Sequence, residues 1–564
     1  MSGKGGDVRE LLAQYVTNLE DDVFAIQNLQ GVVGAVMARY SRAETGLRET
    51  LLREFVKEDK LKLAKAYKLI ERVLIAYGDD SVGELEGAHL SFENISMLAT
   101  KVIEHRRIGG SPIEQSTRYV RYDFKDPERG YHYYCPESLK DTPGEAVFRD
   151  RMDRMFANYG RMWQPLNQWL ERHKPVEEAV YDLGDMGSTY ADMADDKARK
   201  VFERTYRNDL KTKACDILRS FLPLATRANV GLFGNGRFFQ HLISKMMTAP
   251  LAEASHLGRR AFEELTKVIP HYVKRARLLD YTAANERQMR RLVPRLVPEL
   301  CRSGRDSGIQ LLRPDFENMA GALAGDGPVS AQRLSEVWAD EEECGFLASL
   351  LFTYVRAPFE VIRQRVRRMS REQRLEIYDT YYGERVTRRD RPERGIEFGY
   401  PYTFDLVTEW AVYKDLMRHR MGSIQFQALV PDMGFHMPGE LEEAGLGDIA
   451  RETVALAEEL FAYLDAHHPT EREYAFLQGH KMRWLLGMND RALMHMLELR
   501  TTPQGHPNYR RTSQKMHDLA VSLYPDRARR MNFVNHDPVF WSRSDSEARQ
   551  RLKEQALEGD ETAS

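Results

Sequence analysis

An Asn-x-Arg-x-x-x-His pattern occurs twice in this chain of 564 residues, as Asn235, Arg237 and His241 and again as Asn489, Arg491 and His495. Each copy follows a His-Arg cluster, Glu104-His105-Arg106 in the first half and Arg418-His419-Arg420 in the second. A tandem duplication constrains the fold more than any single motif, because each copy of a repeated module must build the same elements. One such match arises readily by chance; two, each behind a His-Arg cluster, do not. Residues i, i+2 and i+6 do not share one helix face, so the pattern is no single-helix metal site. Its mixed donors suit a large polar ligand at the start of a helix, although a solvated helix end would read the same way in isolation.

The length exceeds one ordinary core and favours two to four domains. Lys and Arg (82) nearly cancel Asp and Glu (85), so any anion site must be local. No run of about 18 apolar residues is present to span a bilayer. The start MSGKGGDVRELLAQYV lacks a secretory signal pattern. Cys135, Cys215, Cys301 and Cys344 form no Cys-x-x-Cys pair, and His467-His468 precedes Pro469 in an expected loop. A reducing, cytoplasmic setting without membrane association, and no metal centre, are the expectations.

Helical periodicity runs through residues 8–26, 46–74, 146–173 and 449–468, with Met152, Met155 and Met162 expected in the core. Strands are expected at 86–96, 117–124 and 395–407. The class is therefore α+β and helix-rich. The Gly-, Ser-, Asp- and Pro-rich stretch near 301–332 suggests one repeat over 1–303, a linker over 304–332, and a second, shorter repeat over 333–564. The stretch EHRRIGGSPIEQSTRYVRYD (104–123) crowds Arg106, Arg107, Arg118 and Arg121 round a glycine-flanked turn, which points to a phosphate. Its Ser111-Pro112-Ile113-Glu114 is also a legitimate helix start, with Ser as N-cap and Glu at N3.

These islands resemble the flavin-dependent thymidylate synthases, whose signature reads R-H-R-x-x-S-x-N-E-x-S-x-R-Y. RHRMGSIQ (418–425) matches its beginning, after which Phe426, Ala428, Val430 and Pro431 replace Glu, Ser, Arg and Tyr. SPIEQSTRY (111–119) matches its end, with Ile113 for Asn and two extra residues before Ser111. Ala38-Arg39-Tyr40-Ser41 and Gly78-Asp79-Asp80-Ser81 with Glu84 resemble earlier family elements, the second without its His. Arg219 lies where the family keeps a dUMP-binding Arg, which Glu473 replaces in the second half. The family's late Arg matches Arg500, with Met246 at the first-half position. The likeness covers most of the first half and the second from about residue 340, in islands.

The resemblance implies two modules of thymidylate-synthase-complementing type, which reductively methylate dUMP to dTMP with methylenetetrahydrofolate, FAD and NADPH. It implies dUMP contacts at Glu114, Gln115, Ser116, Arg118, Arg219 and Arg500, with Arg500 also stabilising the anionic uracil. It implies FAD contacts at Ser81, His105, Arg106, Asn235, Arg237, His241, Arg418, His419, Arg420, Asn489, Arg491, His495 and His506. In the family several chains of a homotetramer build each site, so a tandem chain would do so as a homodimer with pseudo-tetrameric symmetry. A second reading is a non-catalytic flavin or nucleotide-binding descendant. A third is a nucleic-acid-binding protein, for which RQRVRRMSREQR (363–374) and YRRTSQK (509–515) are basic, although the first reads equally as a solvated helix face. No P-loop or Rossmann glycine pattern is present.

Overall fold

The computed structural model describes residues 4–20, 28, 33–40, 47–57, 60–61, 83–105, 108–128, 130–302, 308–324, 328–384, 386, 392–398, 402–528, 531–542, 544 and 548. The chain is α+β and helix-rich. In chain order it runs through β1 (Gly87–Ser96), α1 (Met97–Glu104), β2 (Gly110–Glu114), the long helices α2 (Pro143–His173) and α3 (Asp196–Leu218), β3 (Arg227–Asn235) and α4 (Gly236–Thr248). There follow β4 (Ile309–Leu312), α5 (Phe316–Leu323), α6 (Ala331–Leu351), β5 (Tyr402–Glu409), α7 (Trp410–Leu416), β6 (Ser423–Phe426), α8 (Gly447–His467), β7 (Lys481–Met488), α9 (Asp490–Arg500) and α10 (Pro507–Leu523). Among the described residues no helix is long and apolar enough to cross a membrane.

Two compact units interleave along the chain: Met1–Ile95, Ala99–Glu114 and Ala228–Asp280 in one, Ser96–Leu98, Gln115–Arg227 and Tyr281–Ser564 in the other. Among the described residues of 304–332, whose composition suggested a linker, are β4 and α5.

The first unit holds a three-stranded sheet in the order β1-β3-β2. Ser111-Pro112-Ile113-Glu114 is strand here, not a helix start, and pairs antiparallel with β3. Pro112 is tolerated because β2 is an edge strand, where a missing N–H need break no ladder bond. Residues 117–124, expected as a strand, lie outside any strand. The helical period over 46–74 gives only the short helical run Leu47–Phe55 and a small hairpin, Val56–Lys57 with Lys60–Leu61, before the described residues break off. Phe238, Phe239, Leu242, Ile243 and Met246 of α4 pack with Ile95, Ala99, Ile103, Val230 and Leu232 into one apolar core.

In the second unit the sheet order is β6-β7-β5-β4. β5 and β7 are covered on both faces, and their runs of apolar residues reflect that. The strand expected at 395–407 begins only at Tyr402, with a single 3₁₀ turn at Arg394–Glu397 before it. Helix α2 packs against α3 and α8, and Met152, Met155 and Met162 are fully buried as their spacing predicts. The helix expected at 449–468 is α8, of which His467 is the last residue.

The duplication is written in the backbone. β1, β3 and β2 match β5, β7 and β6 in order, and Ser111 lies opposite Phe233 as Ser423 lies opposite Gly487, each partner two residues before its Asn. In the second unit, Met97 N donates to the Thr226 carbonyl and Leu98 N to that of Leu224; Trp410 N and Ala411 N do the same to His480 and Gln478. Residues 220–225 and 474–479 then pair with each other. Leu224 N donates to Phe476 O (2.8 Å) and Gln478 N to Leu222 O (3.0 Å), while Ala225 N reaches Tyr474 O (3.1 Å) and Gly479 N reaches Ser220 O (2.9 Å). Exchanging the two segments turns each bond into its counterpart, the signature of a local twofold.

Gly479 sits on this contact, where a Cβ would stand 2.5 Å from the Phe435 ring and 3.0 Å from Ser220 Cβ. Gly479→Ala should therefore destabilise the protein by about 1–3 kcal/mol, read as a lower denaturant midpoint; an unchanged midpoint would show that the contact yields freely.

Candidate functional site

Helix α9 starts on Asn489, whose side chain accepts from Ala492 N (3.0 Å), and ends on Arg500. Arg500 Nε donates to His419 Nε2 at 2.8 Å, so that nitrogen bears a lone pair and the imidazole is neutral. Burial, then the charges of Arg500 and His495, lowers the His419 pKa to about 3. The Nε bond is the hydrogen bond of Arg500 among the described residues, and its guanidinium also lies 5.5 Å from the Tyr509 ring centroid.

Arg219, in the turn that ends α3, sends both terminal nitrogens to Asp415 Oδ2 at 3.2 Å. Its Nε is buried without a hydrogen-bond partner among the described residues. Burial alone would push the Asp415 carboxyl up, but Arg219, Arg418 and Arg500 together hold it well below the usual carboxylate range. Arg219 alone bonds this carboxylate, and the positive surroundings that Arg418 and Arg500 add suit an anion.

Arg118 lies alongside in a different state. It grips Asp216 of α3 through Nε and Nη2, both at 2.6 Å, and also reaches Gln504 O (3.2 Å) and Ser542 Oγ (3.3 Å). Against the cost of burial, Arg118 keeps Asp216 far below its ordinary pKa. His506, the N-cap of α10, accepts from Asn508 N through Nδ1 and lies 3.2 Å from the Asp216 carbonyl through Nε2. That arrangement requires the neutral tautomer, and burial followed by Arg219 pushes the His506 pKa well below normal. Ser116 Oγ accepts from Arg118 N, and Gln115 Oε1 is buried with no partner among the described residues. Arg418, Arg420, Arg491 and His495 are exposed.

The second unit therefore gathers Gln115, Ser116, Arg118, Arg219, Arg418, His419, Arg500 and His506. Arg420, Asn489, Arg491 and His495 belong to the same unit, and the other expected residues to the first, where the same design recurs with other side chains. Asn235 caps α4 by accepting from Phe238 N (2.8 Å), and Lys245 Nζ lies 3.0 Å from His105 Nδ1, echoing Arg500 and His419. Arg237 pairs with Glu84, and His241 is half-buried on α4. Both Glu114 oxygens are engaged, by Thr100 Oγ1 and Lys101 Nζ at 3.1 Å each, and Lys101 also pairs with Glu104. Ser81 and Arg106 lie outside the described residues. Asp216, Asp415 and Lys245 were not legible in the sequence, because a lone acid or Lys on a helix carries no motif.

The basic run 363–374 is largely matched by acids. Arg363 pairs with Glu341 and Glu360, Arg365 with Glu299, Arg367 with Asp315 and Glu341, and Arg374 with Asp340 and Glu343. Four of the six arginines of the run thus belong to an ion-pair network within the fold, while Arg368 and Arg371 are exposed.

The family described as "Thymidylate synthase complementing protein" matches residues 30–271 and 358–526. The chain is 31% identical to a "UPF0159 protein" of Chlamydia muridarum, over 98% of this chain and 100% of that one. It is 33% identical to one of Chlamydia pneumoniae (96% and 97%) and 27% identical to one of Thermoplasma acidophilum (92% and 98%). Both repeats are thus present in relatives of full length.

Two outcomes follow from the buried charges. Asp216→Asn strands the Arg118 charge and should cost about 3–5 kcal/mol of stability, measured by denaturant unfolding; a cost below 1 kcal/mol would mean that Arg118 has another counter-charge. His419 and His506 stay neutral in the folded chain but take up protons near pH 6.5 when unfolded. The unfolded state then binds more protons below that pH, so stability is full above it and falls toward pH 3, by at most about 1.4 kcal/mol per pH unit for each histidine. His419→Gln, which keeps an acceptor for Arg500, should flatten the slope between pH 6 and 4.5, a window above the carboxylate range; an unaltered slope would contradict the assignment.

Proposed function

Because the chain belongs to the thymidylate synthase complementing protein family, we propose that it is a flavin-dependent thymidylate synthase-like enzyme, methylating dUMP reductively to dTMP with methylenetetrahydrofolate, FAD and NADPH. The observation that carries this reading is the bonding of Arg219, from the first repeat, to Asp415 of the second, a carboxylate that the charge of Arg500 also holds below its usual range. The positions of Arg219 and Arg500 resemble the family's dUMP-binding and uracil-facing arginines.

In this reading Arg500 is the catalytic cation. A neutral His419 holds it by Nε and leaves its two terminal nitrogens to stabilise charge that develops on the uracil ring. Arg219 binds the nucleotide phosphate. The buried, unpartnered Oε1 of Gln115 accepts from the uracil N–H, an atom that would otherwise be costly to bury. Arg118, already held by Asp216, positions the 115–118 segment and with it Gln115 and Ser116.

FAD carries a diphosphate, and the exposed cations Arg418, Arg420 and Arg491 with His495 fit it in charge and access. Arg418 would stand between the two ligands, next to Asp415. Asn489 acts by capping the helix that carries Arg491 and His495, as Asn235 caps the helix that carries Arg237 and His241. Bound FAD supplies the hydride; the protein supplies position and charge. The internal twofold at 220–225 and 474–479 supports a homodimer as the equivalent of the family's tetramer, working in the cytoplasm.

One observation favours the second reading, a non-catalytic flavin or nucleotide-binding descendant: the Arg118 guanidinium already makes four hydrogen bonds within the chain, against five N–H donors. The purified protein should show a flavin absorption spectrum under both readings. Only the enzyme should form dTMP with dUMP-dependent NADPH oxidation, and Arg500→Ala should lower that rate by about a hundredfold while keeping the flavin spectrum. Flavin and dUMP binding without dTMP would establish the descendant; neither flavin nor dUMP binding would refute both.

A further inference from the structure

Apart from the arginine cluster, the second unit brings together three side chains of ligating type. His517 and Asp518 lie on α10, and His536 lies in the segment beyond it. Nδ1 of His517 and Nε2 of His536 are 3.2 Å apart, and the latter is 3.9 Å from Asp518 Oδ1. One ligand atom from each of the three falls within 4.8 Å of the others.

The hydrogen bonding settles which nitrogen of His517 is available. Its Nε2 lies 3.3 Å from the Ala528 carbonyl, which can only accept. Nε2 therefore carries the proton, and Nδ1 turns its lone pair toward His536. A carbonyl on the remote nitrogen is the outer partner that orients metal-binding histidines. Zinc–nitrogen bonds of about 2.0–2.1 Å in tetrahedral geometry place neighbouring ligand nitrogens about 3.3 Å apart, close to the separation found. The side chains of His536 and Asp518 are 46% and 66% exposed, so the face opposite His517 is open to water.

We propose that His517, Asp518 and His536 form a solvent-open site for a divalent transition metal of the zinc class. Two imidazoles and a carboxylate provide three ligands, and water completes the fourth position. Composition and motif spacing pointed to no metal centre, because the two histidines are 19 residues apart and meet only when the chain beyond α10 turns back.

The metal would act on more than its own ligands. The segment that carries His536 also lies on the cationic cluster: Asn535 Oδ1 accepts from Arg510 (2.7 Å), Ser542 Oγ from Arg118 (3.3 Å), and the Phe540 ring sits 3.7 Å from Lys213 Nζ. A metal bridging His536 to α10 staples this strap beside Arg118.

The full-length protein, stripped with chelator, is titrated with cobalt(II) and then zinc. One equivalent of cobalt should develop the visible d–d bands of a four-coordinate site, and zinc should abolish them. His536→Ala and Asp518→Asn, both at exposed positions, should weaken zinc binding about tenfold or more. Zinc should also slow amide exchange across residues 531–542 in the parent protein but not in His536→Ala. Cobalt remaining as the hexaaquo ion, or equal zinc affinity in parent and His536→Ala, would overturn the proposal and leave the pair as an imidazole–imidazole hydrogen bond.

Discussion

The backbone pairing of residues 220–225 with 474–479 is the contact on which the rest of the site depends. It joins residues of the two repeats through four backbone hydrogen bonds in one register, and that register sets where neighbouring side chains fall. Arg219 stands immediately before the first segment and meets Asp415 on the helix that follows β5. From there the chain of charge passes to Arg418 and Arg500. Slip this pairing by one residue and the carboxylate would lose the arginine that neutralises it.

Gathering so many guanidinium groups under cover is unfavourable unless each has a counter-charge or a ligand. The protein solves this unevenly. Arg118 is matched by a bidentate carboxylate, whereas Arg219 bonds a carboxylate that also feels the charges of Arg418 and Arg500. Neutral imidazoles at His419 and His506 serve as hydrogen-bonding struts that add no further positive charge.

What the sequence disclosed was the repeat, and what it hid was the pairing. The matching Asn residues could be found by eye, and both prove to start equivalent helices. The two extra residues before Ser111 were legible as an insertion, and strand register shows that they leave Ser111 and Ser423 equivalent. Ser111-Pro112-Ile113-Glu114 misled because a capping box and a Pro-bearing edge strand share the same letters; only the neighbour across the sheet separates them. Asp216 and Asp415 could not be recognised, since an acid becomes a partner only when another part of the chain arrives. The basic run at 363–374 likewise acquired its acids from residues 299, 315, 340, 341 and 343.

Covalent fusion of the two copies changes what evolution can do with them. In an assembly of identical subunits every substitution is imposed on every copy, so a residue needed once must be kept everywhere. Here Arg219 faces Glu473 as its counterpart, and Arg500 has Met246. Such asymmetry between equivalent positions is open only to a chain whose halves are inherited together yet mutate apart.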